Sequence, residues 1–378
     1  MRSYKYLIVG GGMTGDSAVR GIRDHDKDGS IGLVGAESHP PYSRPPLSKA
    51  LWQGKDESSV WRGTEELGVD LILGRRIVSL DLDAHRATDD QGEEYEYERL
   101  LLATGGKPRR LDDAPDAIYF RTLDDYRRLR EAAKDGQRVL VVGGGFIGSE
   151  IAAALSTNGA QVTMVFPDDD VGSRLFPADL ARFVTDYYRE KGVDVRTGEL
   201  ASRELLSGAE VVVAGLGIEP DTELAEAAGL AVDNGIVVDD RGRAGGREDV
   251  FAAGDVARFP AAALGTTMRV EHEDHANSHG RAVGANMAGA DTPYDHLPFF
   301  YSDLFDLGYE AVGEVDSRLS TVEHWKEPGR EGVVAYVDSD SKPRGFLLWN
   351  VWGKVDDARA LIAADKPIDE STVEGLAG

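Results

Sequence analysis

The chain has 378 residues, 41% of them apolar, and 45 glycines, which is the make-up of a globular protein with room for two or three domains. It contains no cysteine, so structural disulfides, cysteine-ligated zinc or iron–sulfur centres and redox-active cysteine pairs are excluded. A net charge of −25 opposes binding to nucleic acid or an anionic membrane, since both need a field of cations.

The first segment, "YKYLIVGGGMTGDSAVRGI", reads as strand, glycine turn and helix, and "GSIGLVGAE" supplies the next strand of a βαβ unit. Gly10, Gly12 and Gly15 form a G-x-G-x-x-G turn, and Glu37 lies 22 residues past Gly15. Glycines there let the backbone turn tightly and approach a pyrophosphate at a helix N-terminus, while the acid accepts from a ribose. Next comes "PPYSRPPLSKALWQG", residues 40 to 54, where four prolines flank Arg44 and stand just ahead of Lys49. Proline fixes φ and lacks an N–H, so this stretch is neither sheet interior nor mid-helix; a helix-like run is expected after it. A further strand is "RLLLATGG", residues 99 to 106, and "RTLDDYRRLREAAKDG" is a helix that opens an insert.

The insert repeats the opening grammar. "QRVLVVGGGFIGSEIAAAL" and "AQVTMVFPD" form a second βαβ unit with Gly143, Gly145 and Gly148, and Asp168 stands 20 residues past Gly148. One glycine motif is weak evidence; two, each on a strand-to-helix turn and each closed by an acid, are strong evidence. The alternative is two nucleotide folds of which one has lost its ligand. "AEVVVAGLG" (209–217) is another strand, and "EDVFAAGDVARF" (248–259) carries a strand ending in Gly254-Asp255. After about residue 296, "YEAVGEV", "STVEHW", "GVVAYVD" and "RGFLLWNV" read as short strands and "DDARALIAAD" as an amphipathic helix. The expected architecture is α/β: two Rossmann-like dinucleotide-binding domains, the second inserted in the first, plus a small C-terminal α+β domain. The expected boundaries are 1–110 with 218–295 for FAD, 111–217 for NAD and 296–378 for the last domain.

Two dinucleotide sites in one chain point to electron transfer between a tightly held cofactor and a visiting one. The first fits FAD, because an acid ending the last strand of that fold, Asp255, can bind ribityl hydroxyls; its plainer reading is a turn or helix cap. The second fits NAD. Asp168, Asp169 and Asp170 would repel a 2′-phosphate by about 1 kcal/mol in water and about 4 at intermediate screening, although Arg174 is placed to offset this. The absence of an apolar run near the roughly 18 residues of a spanning helix, and a chain that enters a strand at once, lead us to expect a cytoplasmic protein. Asp outnumbers Glu 40 to 27 and Arg outnumbers Lys 31 to 11, which fits either compositional drift or a high-salt cytoplasm.

Together the glycine motifs, "LLATGG", "GLGIEPDTEL" and "VFAAGD" resemble the FAD- and NAD(P)H-dependent pyridine-nucleotide oxidoreductases. "PPYSRPPLSKALW", "VEHEDHANSHGRAVGANMAG", "PYDHLPFFYSDL", "GYEAVGEV" and "GFLLWN" narrow the likeness to the apoptosis-inducing-factor group and its rubredoxin- and ferredoxin-reductase relatives. The resemblance implies that Arg44 and Lys49 pack against the flavin, that Glu150 pairs with Lys49, and that Phe146 shields or stacks on nicotinamide. It implies site roles for Glu271 and His272, with Tyr301 where the apoptosis factor has tryptophan. Arg121 and Asp255 are expected to touch FAD, and Gly217, Glu310 and Asn350 to line the NAD site. The candidate cofactor-binding set also holds Met13, Thr14, Val78, Ala103, Thr104, Gly105, Gly144, Ile147 and Gly254. Lys49, Glu150 and His272 are the candidate catalytic residues.

Beside the eukaryotic relative the chain lacks the insertion after the lysine motif and the long C-terminal loop, and it is expected to carry no presequence or membrane anchor. The acidic balance argues against DNA association. Plainer readings stand beside the sharper ones: Lys49 and Glu150 as a structural ion pair, Phe146 as core, and His272, His275 and His279 as a metal set that lacks a further ligand. Trp349 and Trp352 are expected in the core of the small domain. Two functions follow. In one, NADH reduces FAD and electrons pass to a rubredoxin or ferredoxin, a quinone or oxygen. In the other, the protein is an NADH-responsive sensor that forms a stable charge-transfer complex with little turnover. A homodimer is implied by the resemblance alone.

Overall fold

Strand formation begins at the second residue because "YLIV" is an unbroken apolar run, the pattern of a parallel strand covered on both faces. In the computed structural model, which describes all 378 residues, Arg2–Val9 pairs in parallel with Ile31–Gly35 on one side and Glu94–Leu102 on the other. Asp70–Leu73 extends the sheet beyond Ile31–Gly35, and Val250–Ala252 pairs with the end of Glu94–Leu102. An antiparallel hairpin, Ile77–Asp81 and Arg86–Asp89, completes the sheet. These strands belong to the first of two compact units, made of Met1–Ser43, Ser58–Lys107 and Glu219–Pro298.

Two helices of this unit, Met13–His25 and Glu273–Met287, cross with their backbones in contact. A Cβ on Gly284 would stand 2.2 Å from the Ala18 carbonyl oxygen, and one on Gly280 would stand 2.6 Å from that of Thr14. Ala18, Val19 and Ile22 meet Val283 and Met287 in the core beneath. Asp16 is fully buried on the first helix. Burial pushes its carboxyl up, but hydrogen bonds and charge from Arg20, Arg62 and Thr64 outweigh that and hold it below the ordinary range.

The second unit comprises Arg44–Glu57, Pro108–Ile218 and Phe299–Gly378. Its parallel sheet runs Asp194–Thr197, Gln161–Phe166, Arg138–Val142, Val211–Ala214 and Ile118–Tyr119. The insert's opening helix is Leu123–Ala132, held by a capping box between Thr122 and Asp125. A five-stranded antiparallel sheet follows, ordered Phe299–Leu304, Leu307–Gly313, Pro343–Trp349, Glu331–Val337 and Ser320–Glu327. Helices Val355–Ala363 and Glu370–Ala377 accompany it.

Three local expectations need correction. No regular helix follows the prolines: Pro45–Leu47 is one 3₁₀ turn, and Ser48 to Gly54 continue as hydrogen-bonded turns. Elements that the sequence pattern did not announce include the strands Asp70–Leu73, Asp194–Thr197 and Phe299–Leu304, the hairpin Ile77–Asp81 with Arg86–Asp89, and the helices Ala178–Glu190 and Glu370–Ala377. Trp349 is fully buried, stacked on Tyr309, whereas Trp352 is 52% exposed. The strand ends at Trp349, and Asn350 at φ +51° turns the chain outward.

Replacing Gly284 by Ala should lower unfolding free energy by about 1–3 kcal/mol, because backbone on the facing helix must move. Gly208→Ala, where a Cβ meets nothing, should leave stability within about 1 kcal/mol. Thermal unfolding of the two variants checks this.

Candidate functional site

The two glycine motifs fold into the same geometry. Gly10 and Gly143 sit at φ +130° and +120°, and a Cβ on either would strike the carbonyl of Ala103 or Gly215. A Cβ on Gly15 or Gly148 would stand 2.2 or 2.0 Å from the Gly10 or Gly143 carbonyl oxygen, so helix and strand end pack closely. Gly12 and Gly145 are the N-caps of their helices, neither end has a side-chain cap, and a Cβ on either would meet nothing within 4 Å. Each helix therefore presents uncapped N–H groups to open space, which fits a dinucleotide pyrophosphate. By this geometry either loop can receive the pyrophosphate of FAD or of NAD.

Around the first loop, Met13 opens the helix and Thr14 packs on Gly254, itself at φ +73°. Thr104 donates to the Asp221 carbonyl at 2.7 Å, and the Asp221 N–H donates to Gly105, which fixes "ATGG" behind Gly10. Glu37 follows the second strand and accepts from the Tyr42 hydroxyl at 2.5 Å. Gly74 donates to the Glu37 carbonyl, and Val78, a little further along that segment, is 52% exposed. Arg269 donates to the Asp255 carbonyl at 3.1 Å and pairs with Glu271 at 2.8 Å. His272 stands at the N-cap position of the helix Glu273–Met287 without a side-chain cap, and Gly254, Asp255 and Glu271 lie at the same end.

The histidines on this helix are not arranged as metal ligands. His279 accepts the Gly254 N–H at 3.3 Å through Nδ1. His275 lies 3.2 Å from the Tyr294 hydroxyl and stacks on Phe259. Burial pushes His279 down to about 3, His275 well below its ordinary value, and His272 to about 4 against the pull of Asp255 and Asp274.

In the second unit, Lys49 Nζ meets Glu150 Oε1 at 2.5 Å, with the two side chains 11% and 4% exposed. The Tyr301 ring lies under Lys49, with Nζ 5.1 Å from its centroid. Glu150 also accepts from Ser302 at 2.6 Å and Ser48 at 2.5 Å. Asp303 is half-buried, and burial raises its carboxyl, with Lys49 opposing and Glu150 adding. Phe146 meets Phe300 edge-on at 5.0 Å, and Ile147 beside it is 38% exposed. Arg44 donates to the Arg121 carbonyl at 2.7 Å.

Around the second loop, Gly144 packs against Phe166 and Gly217 holds φ +78°. Asp168 carries Arg174 at 3.2 Å. Glu310 accepts the Gly353 N–H, and the Asn350 amide is committed to Gly308 and Arg330. Sequence reading missed Ser48, Ser302 and Asp303. No spacing marks Ser48 or Ser302, and only the nearness of Ser48 to Lys49 offered a signal.

The pyridine nucleotide-disulphide oxidoreductase family model matches residues 4–280, and the apoptosis-inducing factor C-terminal model matches 283–331. The chain belongs to the pyridine nucleotide-disulphide oxidoreductase family. Its lack of cysteine means that the disulphide of the family's title is not part of its chemistry. It is 33% identical to apoptosis-inducing factor 1, mitochondrial, of Dictyostelium discoideum, over 98% of this chain and 80% of that protein. It is also 33% identical to the ferredoxin–NAD(+) reductase component of the Burkholderia cepacia anthranilate 1,2-dioxygenase system, over 96% and 95%. Among solved structures, putidaredoxin reductase in its covalent complex with putidaredoxin matches with a TM-score of 0.89 at 29% identity, over 99% and 96%. The protein is an FAD-dependent, NAD(P)H-dependent oxidoreductase, as its two loops and its family require. No helix is long and apolar enough to cross a membrane.

His275 and His279 give the protein a pH dependence of known sign. Unfolding frees them to bind protons near pH 6.5, whereas the folded state resists protonation until far lower pH. Their contribution is complete above pH 6.5 and is lost as pH falls towards about 3. Urea unfolding from pH 7.5 to 5 should show stability falling by up to about 1.4 kcal/mol per pH unit per histidine. His279→Asn should flatten that slope.

Proposed function

We propose that the protein oxidises NADH in preference to NADPH and delivers the electrons to a small one-electron carrier protein. FAD, when bound, supplies the conversion of a two-electron donor into single electrons. The observation that supports this reading is the full-length likeness in fold and sequence to the ferredoxin-type reductases, over 95% or more of both lengths, a coverage that plant monodehydroascorbate reductases share. Asp168, with Asp169 and Asp170 after it, supports NADH, because a 2′-phosphate would meet carboxylates there. The likeness of "PPLSK" to the family's lysine motif supports a reading of Lys49 as a cation that favours reduced flavin, with Glu150 as its counter-charge. His272 serves the flavin site as a neutral group. We also infer a cytoplasmic homodimer.

The test is turnover of FAD-loaded protein with NADH or NADPH against a ferredoxin, a rubredoxin, a quinone and oxygen. NADH should exceed NADPH in kcat/KM by at least about fivefold. A carrier protein should outrun quinone and oxygen, and with an acidic carrier the rate should rise with salt as repulsion between two anions is screened. Turnover only with quinone or oxygen contradicts the carrier reading. Long-lived reduced protein with negligible turnover on every acceptor would point to the sensor instead. Lys49→Met should lower the flavin midpoint potential; an unchanged potential removes Lys49 from that role.

A further inference from the structure

Glu150 holds more partners than a single lysine requires. Its Oε1 accepts from Lys49 Nζ at 2.5 Å and from Ser302 Oγ at 2.6 Å, while Oε2 accepts from Ser48 Oγ at 2.5 Å. Ser302 is fully buried and Ser48 is 5% exposed. A glutamate has three side-chain torsions, and one ammonium partner leaves its carboxylate free to turn. Donors on both oxygens fix the plane of the group.

Each hydroxyl is itself held. Ser48 directly precedes Lys49 on the turn formed by Pro45 and Pro46, and its N–H donates to the Pro45 carbonyl. Ser302 lies on the strand Phe299–Leu304, in register with Tyr309 on the neighbouring strand. Tyr309 is locked in turn by stacking on Trp349 and by the edge of Phe176. The position of the carboxylate is thus set by the core of the C-terminal sheet on one side and by the proline-stiffened turn on the other.

We propose that Ser302 and Ser48 are positioning residues that lock the Glu150 carboxylate and, through it, fix where the Lys49 ammonium stands. This rests on the reading of Lys49 as the cation that serves the flavin. Neither serine acts on a reacting atom. Their effect passes through Lys49, so it vanishes when Lys49 is absent.

The experiment makes Ser302→Ala and Ser48→Ala in FAD-loaded protein, each with Lys49 present and with Lys49→Met. Nitrogen-15 NMR of lysine-labelled protein reads the ammonium directly, since one locked against a buried carboxylate exchanges its protons slowly and gives its own signal. That signal, assigned by its loss in Lys49→Met, should broaden or disappear in each serine variant. Anaerobic flavin reduction by NADH should slow roughly tenfold in each serine variant. Apparent NADH affinity should stay within about twofold, and with Lys49→Met each serine change should matter by less than about twofold. A Lys49 signal unchanged in both serine variants overturns the proposal, as does an equal slowing with and without Lys49. Should Lys49→Met leave flavin reduction untouched, the role of Lys49 at the flavin fails, and the NMR signal alone decides the positioning claim. Ser48→Ala, on a turn, keeps the test open should Ser302→Ala disrupt the sheet.

Discussion

One buried carboxylate organises the second unit. Glu150 comes from the helix Phe146–Thr157, its partners Lys49 and Ser48 from the proline-rich stretch, and Ser302 from the strand Phe299–Leu304. Removing a carboxylate from water costs several kcal/mol unless it is paired and hydrogen-bonded, so this group demands those donors. Three distant parts of the sequence are therefore tied at one point. Pro45 and Pro46 restrict the turn that delivers Lys49, so the chain is stiff where a cation must be held still.

The glycine loops solve a different problem by the same means twice. Both must bring backbone N–H groups to a diphosphate, and both use a glycine too close to a neighbouring carbonyl to carry a side chain. What separates the two sites is what surrounds each loop. The first has the Gly254-Asp255 turn and the N-cap position at His272, held by Arg269 and by a crossing of helices in backbone contact. The second has Asp168 with Arg174 at the strand end and Phe146 at the helix start.

Much of this was legible in the sequence because the constraints are local. A glycine triplet on a strand-to-helix turn is forced by backbone sterics, and an unbroken apolar run such as "YLIV" announces a covered parallel strand. The pairing of Lys49 with Glu150 was reached only through resemblance, since 101 residues separate them. Ser48 and Ser302 were invisible because a buried hydroxyl donor leaves no periodic trace. The strand Phe299–Leu304 escaped because "FFYSDL" opens with three adjacent aromatics instead of alternating. The helix after Asp369 carried a readable cap, with the Asp369 side chain accepting from Thr372, but its eight residues have little amphipathic pattern. Trp352 shows the opposite error: apolar character was read as burial, although the turn at Asn350 carries it outward.

The net charge of −25 bears on the acceptor more than on the fold, since it sets the sign of the long-range field that an approaching carrier meets. The central claim, that this chain passes the reducing equivalents of NADH to FAD, is tested most directly by anaerobic titration of FAD-loaded protein with NADH. The account predicts loss of the flavin's visible absorption with an end point at one NADH per bound FAD. A protein that fails to retain FAD, or whose flavin keeps its oxidised spectrum under excess NADH, would contradict it.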